Sequence, residues 1–372
     1  MEGKLNLVDG SSKYQQVKNN IKRWILDGHV DGEGRIPSEN VMSELFGVSR
    51  QTIRQATGEL VNEGWLHRQQ GRGTFAVAGV MRTANVQLAH LRIGVITTYL
   101  VDYIFPHIIK GIESSLVSQG HSLSLYSTGN DVRTERRALE MALRQGVDGL
   151  IIEPTKSTHP NPNIDLYLLM EQRNIAFVML HSSYVELNAS VVSLDDARGA
   201  YLATSHLFEL GHRIVGAIFK SDDAQGRARF RGFVKAHQDH HVPIQGKLIK
   251  TYATEDKESV VERFAEEALH EEVAPTAVVC YNDDIAMTLI LRSRELGLDV
   301  PRDISVTGFD DSALADNGFV QLTTIRHPKQ EMGEAAAQML LDLLRNKDTM
   351  WVPREHVFEA KLIVRSSTRA RS

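Results

Sequence analysis

Residues 36–66 hold two short helical patterns separated by a tight break, and this arrangement constrains the fold more than any other part of the sequence. Ser38 can cap the first helix, which Gly47 ends. Ser49 can cap the second helix, which Gly64 ends, and the apolar positions of that helix fall on one face. We therefore predict two helices packed across each other, with polar side chains such as Arg50 on the outer face of the second.

Patterns on both sides of this segment complete a small domain. Residues 14–27 carry apolar side chains at helical spacing, and residues 65–70 and 74–77 are predicted to form two short strands of a hairpin. Three helices followed by such a wing predict a winged helix-turn-helix domain over residues 11–78. Residues 79–90 lack clear periodicity, and we expect them to be a linker.

Residues 91–372 alternate apolar runs with amphipathic helical segments. This alternation predicts a parallel, doubly wound α/β architecture. A segment of that length with about eight such units favours two lobes over one sheet. The apolar runs are LRIGVITTY, HSLSLYST, VDGLIIEPT, IAFVMLH, HRIVGAIFK, LIKTY, TAVVCYND and ISVTGFDD.

Charge is distributed unevenly along the chain. The formal net charge of −5 argues against a uniformly basic surface. Arg50, Arg54, Arg68 and Arg72 nevertheless fall within one short span that contains only two acidic residues. A local basic patch in the first domain therefore stays compatible with nucleic-acid binding.

The N-terminal segment contains GVSR followed by TIR, then ELVNEG and GRGTF. In this order and spacing the motifs resemble the DNA-binding domain of GntR-type regulators. The resemblance implies binding to double-stranded operator DNA, with the second of the two helices at base edges and phosphates. A packing module or a protein-binding winged helix is the alternative. The residues expected to contact DNA are Lys13, Tyr14, Ser38, Glu39, Ser49, Arg50, Gln51, Thr52, Arg54, Gln70, Gly71 and Arg72.

Polar side chains follow most of the apolar runs in residues 91–372, at the strand ends where α/β domains bind ligands. Carboxylates, amides and guanidinium groups can each engage two hydroxyls of a neutral polyol, and aromatic rings can cover its C–H face. Each such residue could instead cap the helix that follows it. The aromatic side chains available for stacking are Tyr99, Tyr103, Phe105 and Tyr184.

This region also contains the segments LFELGHRIVGAI, RARFRGF, AVVCYNDDIAM, ISVTGFDD and LTTIRHP. With these segments it resembles the effector domain of LacI/GalR-type regulators, itself similar to type I periplasmic sugar-binding proteins. The resemblance implies a two-lobed type I periplasmic-binding-protein-like domain over residues 91–372, with Arg229, Asn282 and Asp310 holding sugar hydroxyls. The full set of expected effector-binding residues is Tyr99, Asp102, Tyr103, Glu153, Lys156, His181, Asp223, Arg229, Asn282, Asp310 and His327.

Four further segments are informative, namely TTYLVDYIFPHIIKGIES, DGLIIEPTKS, KSDDAQG and CYNDDIA. Together with a GntR-type domain joined to a LacI-type domain, they are similar to the arabinose-responsive repressors of Gram-positive bacteria. The resemblance implies L-arabinose or a related sugar as effector, and release from the operator when it binds. A homodimer on a palindromic operator is expected on symmetry grounds. The alternative is a regulator of the same architecture that responds to a different sugar.

Other classes of function fit the sequence less well. Paired carboxylates such as Asp222 and Asp223 could suggest glycoside hydrolysis, but strand neighbours point in opposite directions and no nucleotide-binding or hydrolase motif is present. The segment HQDHH lacks a further metal ligand, so we expect no metal site. Because catalytic and nucleotide-binding motifs are absent as well, we expect no catalytic residue and no cofactor. A transported-sugar-binding protein should carry an export signal, and we expect none here because residues 1–20 contain no apolar core of the kind such signals have. With a single cysteine, Cys280, and no long apolar run, a cytoplasmic protein without a membrane partner is expected.

Overall fold

The computed structural model describes residues 13–26, 30, 34–69, 72–77, 90–101, 103–269, 274–316, 320–345 and 352–371. The chain divides into two compact units, Met1–Ala89 and His90–Ser372. Gln70, Gly71, Asp102 and nearly all of the predicted linker lie outside the described residues. Within the described ranges, no helix is long and apolar enough to span a bilayer.

The first unit consists of three helices and a two-stranded antiparallel hairpin. Its helices enclose an apolar core that contains Ile21, Ile53 and Leu60, all inaccessible to solvent. Each such side chain contributes about 1.5–3 kcal/mol through burial. The elements are α1 (Lys13–Leu26), α2 (Glu39–Phe46), α3 (Arg50–Asn62), β1 (Leu66–Gln69) and β2 (Gly73–Ala76).

The helix caps expected from the sequence are confirmed in the first unit. The Ser38 side chain accepts a hydrogen bond from the Val41 amide at 3.4 Å, and the Ser49 side chain accepts one from the Thr52 amide at 3.2 Å. Gly47 ends α2 with a φ of 61°, a left-handed conformation that glycine adopts without strain. These local signals fix the angle at which α3 begins.

The second unit contains two parallel sheets, flanked by helices, and a short antiparallel ribbon. The six-stranded sheet has the order β13-β7-β6-β5-β3-β4, the four-stranded sheet has the order β11-β10-β8-β9, and β12 pairs with β14. The strands are β3 (Arg92–Thr97), β4 (Ser122–Ser127), β5 (Gly149–Ile152), β6 (Ala176–Leu180), β7 (Ser190–Leu194), β8 (Val215–Lys220), β9 (Ile249–Tyr252), β10 (Ala277–Cys280), β11 (Ser305–Thr307), β12 (Thr324–Arg326), β13 (Glu355–Phe358) and β14 (Lys361–Ile363).

Each sheet carries its own helices and therefore defines a lobe. The first lobe holds the six-stranded sheet with α4, α5, α6 and α12, and the second holds the four-stranded sheet with α7 to α11. The helices are α4 (Phe105–Val117), α5 (Val132–Gln145), α6 (Ile164–Gln172), α7 (Asp196–Glu209), α8 (Ala224–Asp239), α9 (Lys257–Ala268), α10 (Asp283–Glu295), α11 (Ala313–Asp316) and α12 (Lys329–Arg345).

The predicted α/β class and the two lobes are confirmed, and all eight apolar runs contain a strand. Strands β5 and β6 are buried along their whole length, as parallel strands covered on both faces must be. Strands β7, β12, β13 and β14 were not predicted from the sequence. Among the described residues, the chain passes between the lobes after β7, after β12 and after β13, so these missed strands lie at the crossings.

Helices α4 and α12 cross at unusually close range through two glycines. A Cβ atom on Gly111 would lie 2.1 Å from the Gln330 carbonyl oxygen, and one on Gly333 would lie 2.1 Å from the Ile108 carbonyl oxygen. Both obstacles are backbone atoms, which cannot move without displacing a helix. The glycines therefore set the distance between these two helices of the first lobe.

We predict that Gly333→Ala lowers the free energy of unfolding of the second unit by about 1–3 kcal/mol, because the added methyl overpacks the helix crossing. Helix propensity alone would change stability in the opposite direction, by about 1 kcal/mol. Urea unfolding followed by circular dichroism measures the change. Gly246→Ala is the control, since a Cβ there meets nothing within 4 Å. An equally stable Gly333→Ala variant would contradict the assigned role of the crossing.

Candidate functional site

The start of α3 presents polar side chains outwards from the first unit. Arg50 and Gln51 are exposed, while Ile53 on the opposite face is wholly buried. The hydroxyl groups of Ser49 and Thr52 lie 2.9 Å apart, next to the helix cap that Ser49 forms. An exposed, pre-ordered helix start of this kind can enter the major groove of DNA.

An ion pair joins α2 to α3 beside this surface. The Arg54 guanidinium donates to the Glu39 carboxylate, with Nη2 2.9 Å and Nε 3.2 Å from Oε2. This bond raises the pKa of Arg54. Because both groups are partly or largely exposed, the pair stabilises the fold little. Its main consequence is geometric, since it fixes Arg54 next to the start of α2.

The remaining candidate DNA contacts are less closely grouped. Ser38 is exposed and occupied in its cap, and Tyr14 is half-buried on α1. Lys13 begins α1, but its side chain lies outside the described part of the structure. Arg72 is exposed in the wing and lies 5.9 Å from the centre of the Phe75 ring.

A buried guanidinium group organises the candidate effector site in the second unit. Arg229 of α8 donates from Nε to Asp196 Oδ1 at 2.8 Å and from Nη2 to Asp310 Oδ1 at 3.3 Å. Its Nη1 donates to the Tyr281 carbonyl oxygen at 2.6 Å, and its plane lies 3.6 Å from the centre of the Phe309 ring. Two carboxylates and an aromatic face thus compensate a charge that is almost wholly removed from water.

A second buried group joins Glu153 to two histidines. Glu153 Oε2 accepts hydrogen bonds from the amide and hydroxyl of Thr98 at 2.7 and 2.6 Å. Its Oε1 lies 3.2 Å from His181 Nδ1, and the ring of His327 stands 5.3 Å from that of His181. Among the described residues, His181 Nε2 and His327 Nδ1 have no hydrogen-bond partner although both are buried.

Electrostatics connect the two buried groups. Burial opposes protonation of His181, but the bond to Glu153 and the charges of Glu153, Asp196 and Asp310 outweigh it and raise the pKa of the ring. Burial lowers the pKa of His327 well below its usual value, and the nearby His181 and Arg229 lower it further. The cluster therefore combines carboxylates, a fixed cation and a neutral imidazole. Such a set can donate to and accept from the hydroxyl groups of a bound ligand.

Strained backbone marks the strand ends around this cluster. Tyr103, His181 and Asp310 have φ angles of 63°, 64° and 102°, in a region that residues other than glycine rarely adopt. They follow β3, β6 and β11, at the carboxyl ends of parallel strands. Strain that persists at several neighbouring strand ends is typical of binding sites.

Two further candidates border the cluster. The Tyr103 hydroxyl accepts a hydrogen bond from the Asp283 amide at 3.0 Å and donates to the Phe309 carbonyl oxygen at 3.1 Å. Tyr99 is half-buried, with its ring 5.9 Å from that of Phe105. The Tyr103 hydroxyl thus bridges the first lobe to the second, directly beside Asp310.

Three candidate residues are held by other partners. Asp223 caps α8 by accepting from the Gly226 amide at 2.7 Å, and it also accepts from the Tyr281 hydroxyl at 2.7 Å. Asn282 caps α10 through its side-chain oxygen. Lys156 forms an ion pair with Glu255. A polar residue after a strand can simply cap the helix that follows it. The structure shows this alternative at Asp223 and Asn282.

One aromatic residue lies elsewhere than predicted, and several members of the cluster were not predicted from the sequence. Tyr184, expected to be available for stacking, is buried with its hydroxyl 2.6 Å from Glu135 Oε1. Asp196, Tyr281 and Phe309 surround Arg229 but were not proposed. Asp196 is the second residue after β7, so the run SVVSL followed by two aspartates was the signal that could have identified it.

Comparisons with known proteins agree with the division of the chain into two units. Residues 13–76 match the model of the bacterial regulatory proteins of the gntR family, and residues 204–368 match that of a periplasmic binding protein-like domain. A LacI family transcriptional regulator from Enterococcus faecium, solved with bound ribose, is 27% identical, with a TM-score of 0.65 over 76% of this chain and all of that one. These similarities cover both units.

Two relatives match nearly the whole chain. The arabinose metabolism transcriptional repressor of Geobacillus stearothermophilus is 44% identical over 96% of this chain and 98% of its own length. The protein of the same name from Halalkalibacterium halodurans is 43% identical over 96% of both chains. All of these matched proteins are transcription regulators and not enzymes. The chain therefore belongs to the family of arabinose metabolism transcriptional repressors, which join a GntR-type DNA-binding domain to a LacI-type effector domain.

Proposed function

We propose that this chain represses genes of L-arabinose use by binding operator DNA, and that L-arabinose bound between the lobes of the second unit releases it. The proposal rests on the buried polar cluster around Arg229 and Glu153. Among the described residues, two histidine nitrogens of this cluster have no hydrogen-bond partner. Buried polar atoms without partners are costly, so a ligand that supplies hydroxyl groups stabilises them.

The chemistry of the cluster favours a neutral sugar. Glu153, Asp196 and Asp310 would repel a phosphorylated or acidic sugar, whereas sugar hydroxyls can donate to these carboxylates and accept from Arg229 and His181. We propose that Glu153, His181, Arg229, Asp310 and His327 contact the sugar directly. We infer that Tyr99, Tyr103 and Asn282 line the site, and that Lys156 and Asp223 act indirectly through their partners. Asp102 lies outside the described residues and stays a predicted contact.

We propose that α3 lies in the major groove with the wing against the backbone. In this arrangement Arg50 and Gln51 contact base edges, while Ser49, Thr52 and Arg54 meet phosphates or adjacent bases. Residues 11–78 form the DNA-binding domain, residues 79–90 the linker, and residues 91–372 the effector and dimerisation domain. A homodimer places two such heads on a palindromic operator. Operator DNA lies in the bacterial cytoplasm, which is the location we infer.

A different pentose is the second candidate effector. The neighbouring LacI family regulator from Enterococcus faecium was solved with ribose, and hydroxyl-binding groups such as those around Arg229 suit any pentose in chemical kind. The stereochemistry of the sugar decides between them through the positions of its hydroxyls. A direct comparison of several pentoses therefore identifies the effector.

We predict that L-arabinose weakens operator binding by about 5–150-fold, the usual range of coupling between two sites. The operator is first selected with the protein from a randomised DNA duplex pool. Fluorescence anisotropy at fixed salt then gives the dissociation constant without sugar and with L-arabinose, D-ribose or D-xylose. An effect of another pentose without one of L-arabinose would contradict the assigned effector. No effect of any sugar would contradict the proposed switch.

We predict that Arg50→Ala weakens specific operator binding by about 1–3 kcal/mol, because a bidentate contact to a base edge is lost. The matched control is Arg231→Ala, which removes an exposed arginine from α8 of the other unit. The same anisotropy titration measures both variants, with L-arabinose affinity as a check of folding. Operator binding equal to that of the unaltered chain would remove Arg50 from the interface.

We predict that Glu153→Gln weakens L-arabinose binding by about tenfold or more, because a hydrogen bond to a charged group contributes about 1.5–3 kcal/mol. Glutamine keeps the shape of the side chain and can still accept from Thr98. Isothermal titration calorimetry measures the change, and Glu171→Gln on the exposed face of α6 is the control. Unaltered binding by the Glu153→Gln variant would exclude this carboxylate from the site.

A further inference from the structure

A set of polar contacts between loops joins the two lobes. These contacts are separate from those of the Arg229 cluster. The loops after β4 and β5 in the first lobe meet the loops after β8 and β9 in the second. Asn130 Nδ2 donates to Thr254 Oγ1 at 2.6 Å, and Thr254 donates from its amide and hydroxyl to Asp222 Oδ2 at 2.9 and 2.7 Å. Lys156 and Glu255 form an ion pair across the same gap.

Two more hydrogen bonds extend this contact along the same pair of loops. The Ala224 amide donates to Ser157 Oγ at 2.9 Å, and Thr158 Oγ1 donates to the Ser221 carbonyl oxygen at 3.0 Å. Each bond joins the first lobe to the second. The two lobes are thus connected by direct polar contacts and not only by the covalent crossings.

Asn130 has the central position in this set. Its side chain is 2% exposed, its oxygen accepts from the Lys156 amide at 2.8 Å, and its nitrogen donates across the gap to Thr254. Its φ of 58° is left-handed, a conformation that asparagine tolerates better than most residues. The amide oxygen is therefore hydrogen-bonded within the first lobe, and the amide nitrogen is hydrogen-bonded to the second lobe.

A buried carboxylate anchors the first-lobe side of this contact. Glu135 of α5 is inaccessible to solvent and accepts four hydrogen bonds at 2.6–2.8 Å, from Asn161, Asn163, Tyr167 and Tyr184. The Tyr184 hydroxyl in turn accepts from the Thr155 amide at 2.7 Å. The residue next to Thr155 is Lys156, so this network holds in place the loop that meets Asn130.

The second-lobe side connects to the sugar site. Lys220 lies 3.4 Å from Asp222 and 3.0 Å from Asp223, whose carboxylate accepts from the Tyr281 hydroxyl. The carbonyl oxygen of Tyr281 accepts from Arg229. A continuous series of polar contacts therefore runs from Asn130 to the buried guanidinium.

We infer that Asn130, Thr254, Asp222, Lys156 and Glu255 form a latch that favours closure of the lobes, with Asn130 as its positioning residue. The inference rests on the proposed function in one respect: closure is taken to be the state that binds the sugar. The latch residues contact the sugar only through others. They set the fraction of molecules that is closed before the sugar arrives, and so the apparent sugar affinity.

Asn130→Gly tests the latch, because glycine accepts the left-handed φ and only the amide is lost. Asn174→Gly is the matched control, since Asn174 is exposed and has a φ of 53° in the same lobe. Thr254→Val is a second variant, which removes the hydroxyl while keeping the side-chain shape. Spin labels on Glu171→Cys in α6 and Glu258→Cys in α9 report the separation of the lobes, since the native Cys280 is buried.

Without sugar, we expect Asn130→Gly and Thr254→Val to shift the distance distribution towards longer separations, and Asn174→Gly to match the unaltered chain. We also expect the L-arabinose dissociation constant of the two latch variants to rise roughly fivefold or more, as for loss of one net hydrogen bond. Unaltered distance distributions in both latch variants would overturn the latch. Because that distance is measured without sugar, a failure of L-arabinose to bind would contradict the proposed function and leave the latch standing.

Discussion

The buried charge of Arg229 is the interaction on which the second unit depends most. An unpaired guanidinium at this depth would cost several kcal/mol, so the fold has to bring compensating groups to it. Asp196 is the first residue of α7, after the chain crosses from β7. Asp310 follows β11, and the Tyr281 carbonyl follows β10. Arg229 thus binds groups from the ends of three strands at the candidate sugar site.

Packing around the guanidinium follows from this requirement. The Phe309 ring lies against the Arg229 plane, and a Cβ on Gly199 of α7 would come within 2.7 Å of that ring. The left-handed backbone at Asp310 aims its carboxylate at the cation. The groups proposed to bind sugar hydroxyls are therefore ordered before a ligand binds, which reduces the entropy that binding would otherwise cost.

Much of this organisation was predictable because its signals are local. Ser38, Gly47 and Ser49 determine the helix-turn-helix through caps and a left-handed turn, and continuous apolar runs mark the parallel strands. Glu135 was not predictable, because an acid within an amphipathic helix is usually solvated and only the tertiary fold surrounds it with four donors. The ion pair of Lys156 was not predictable either, because its partner Glu255 is distant in sequence.

Thermodynamic linkage provides a direct test of the coupling between the sugar site and the DNA-binding domain. Calorimetric titration gives the L-arabinose dissociation constant of the free protein and of the protein saturated with operator DNA. Through this coupling, we expect operator DNA to weaken L-arabinose binding by the same factor by which L-arabinose weakens operator binding. Equal L-arabinose affinity in the free and the operator-bound protein would contradict it.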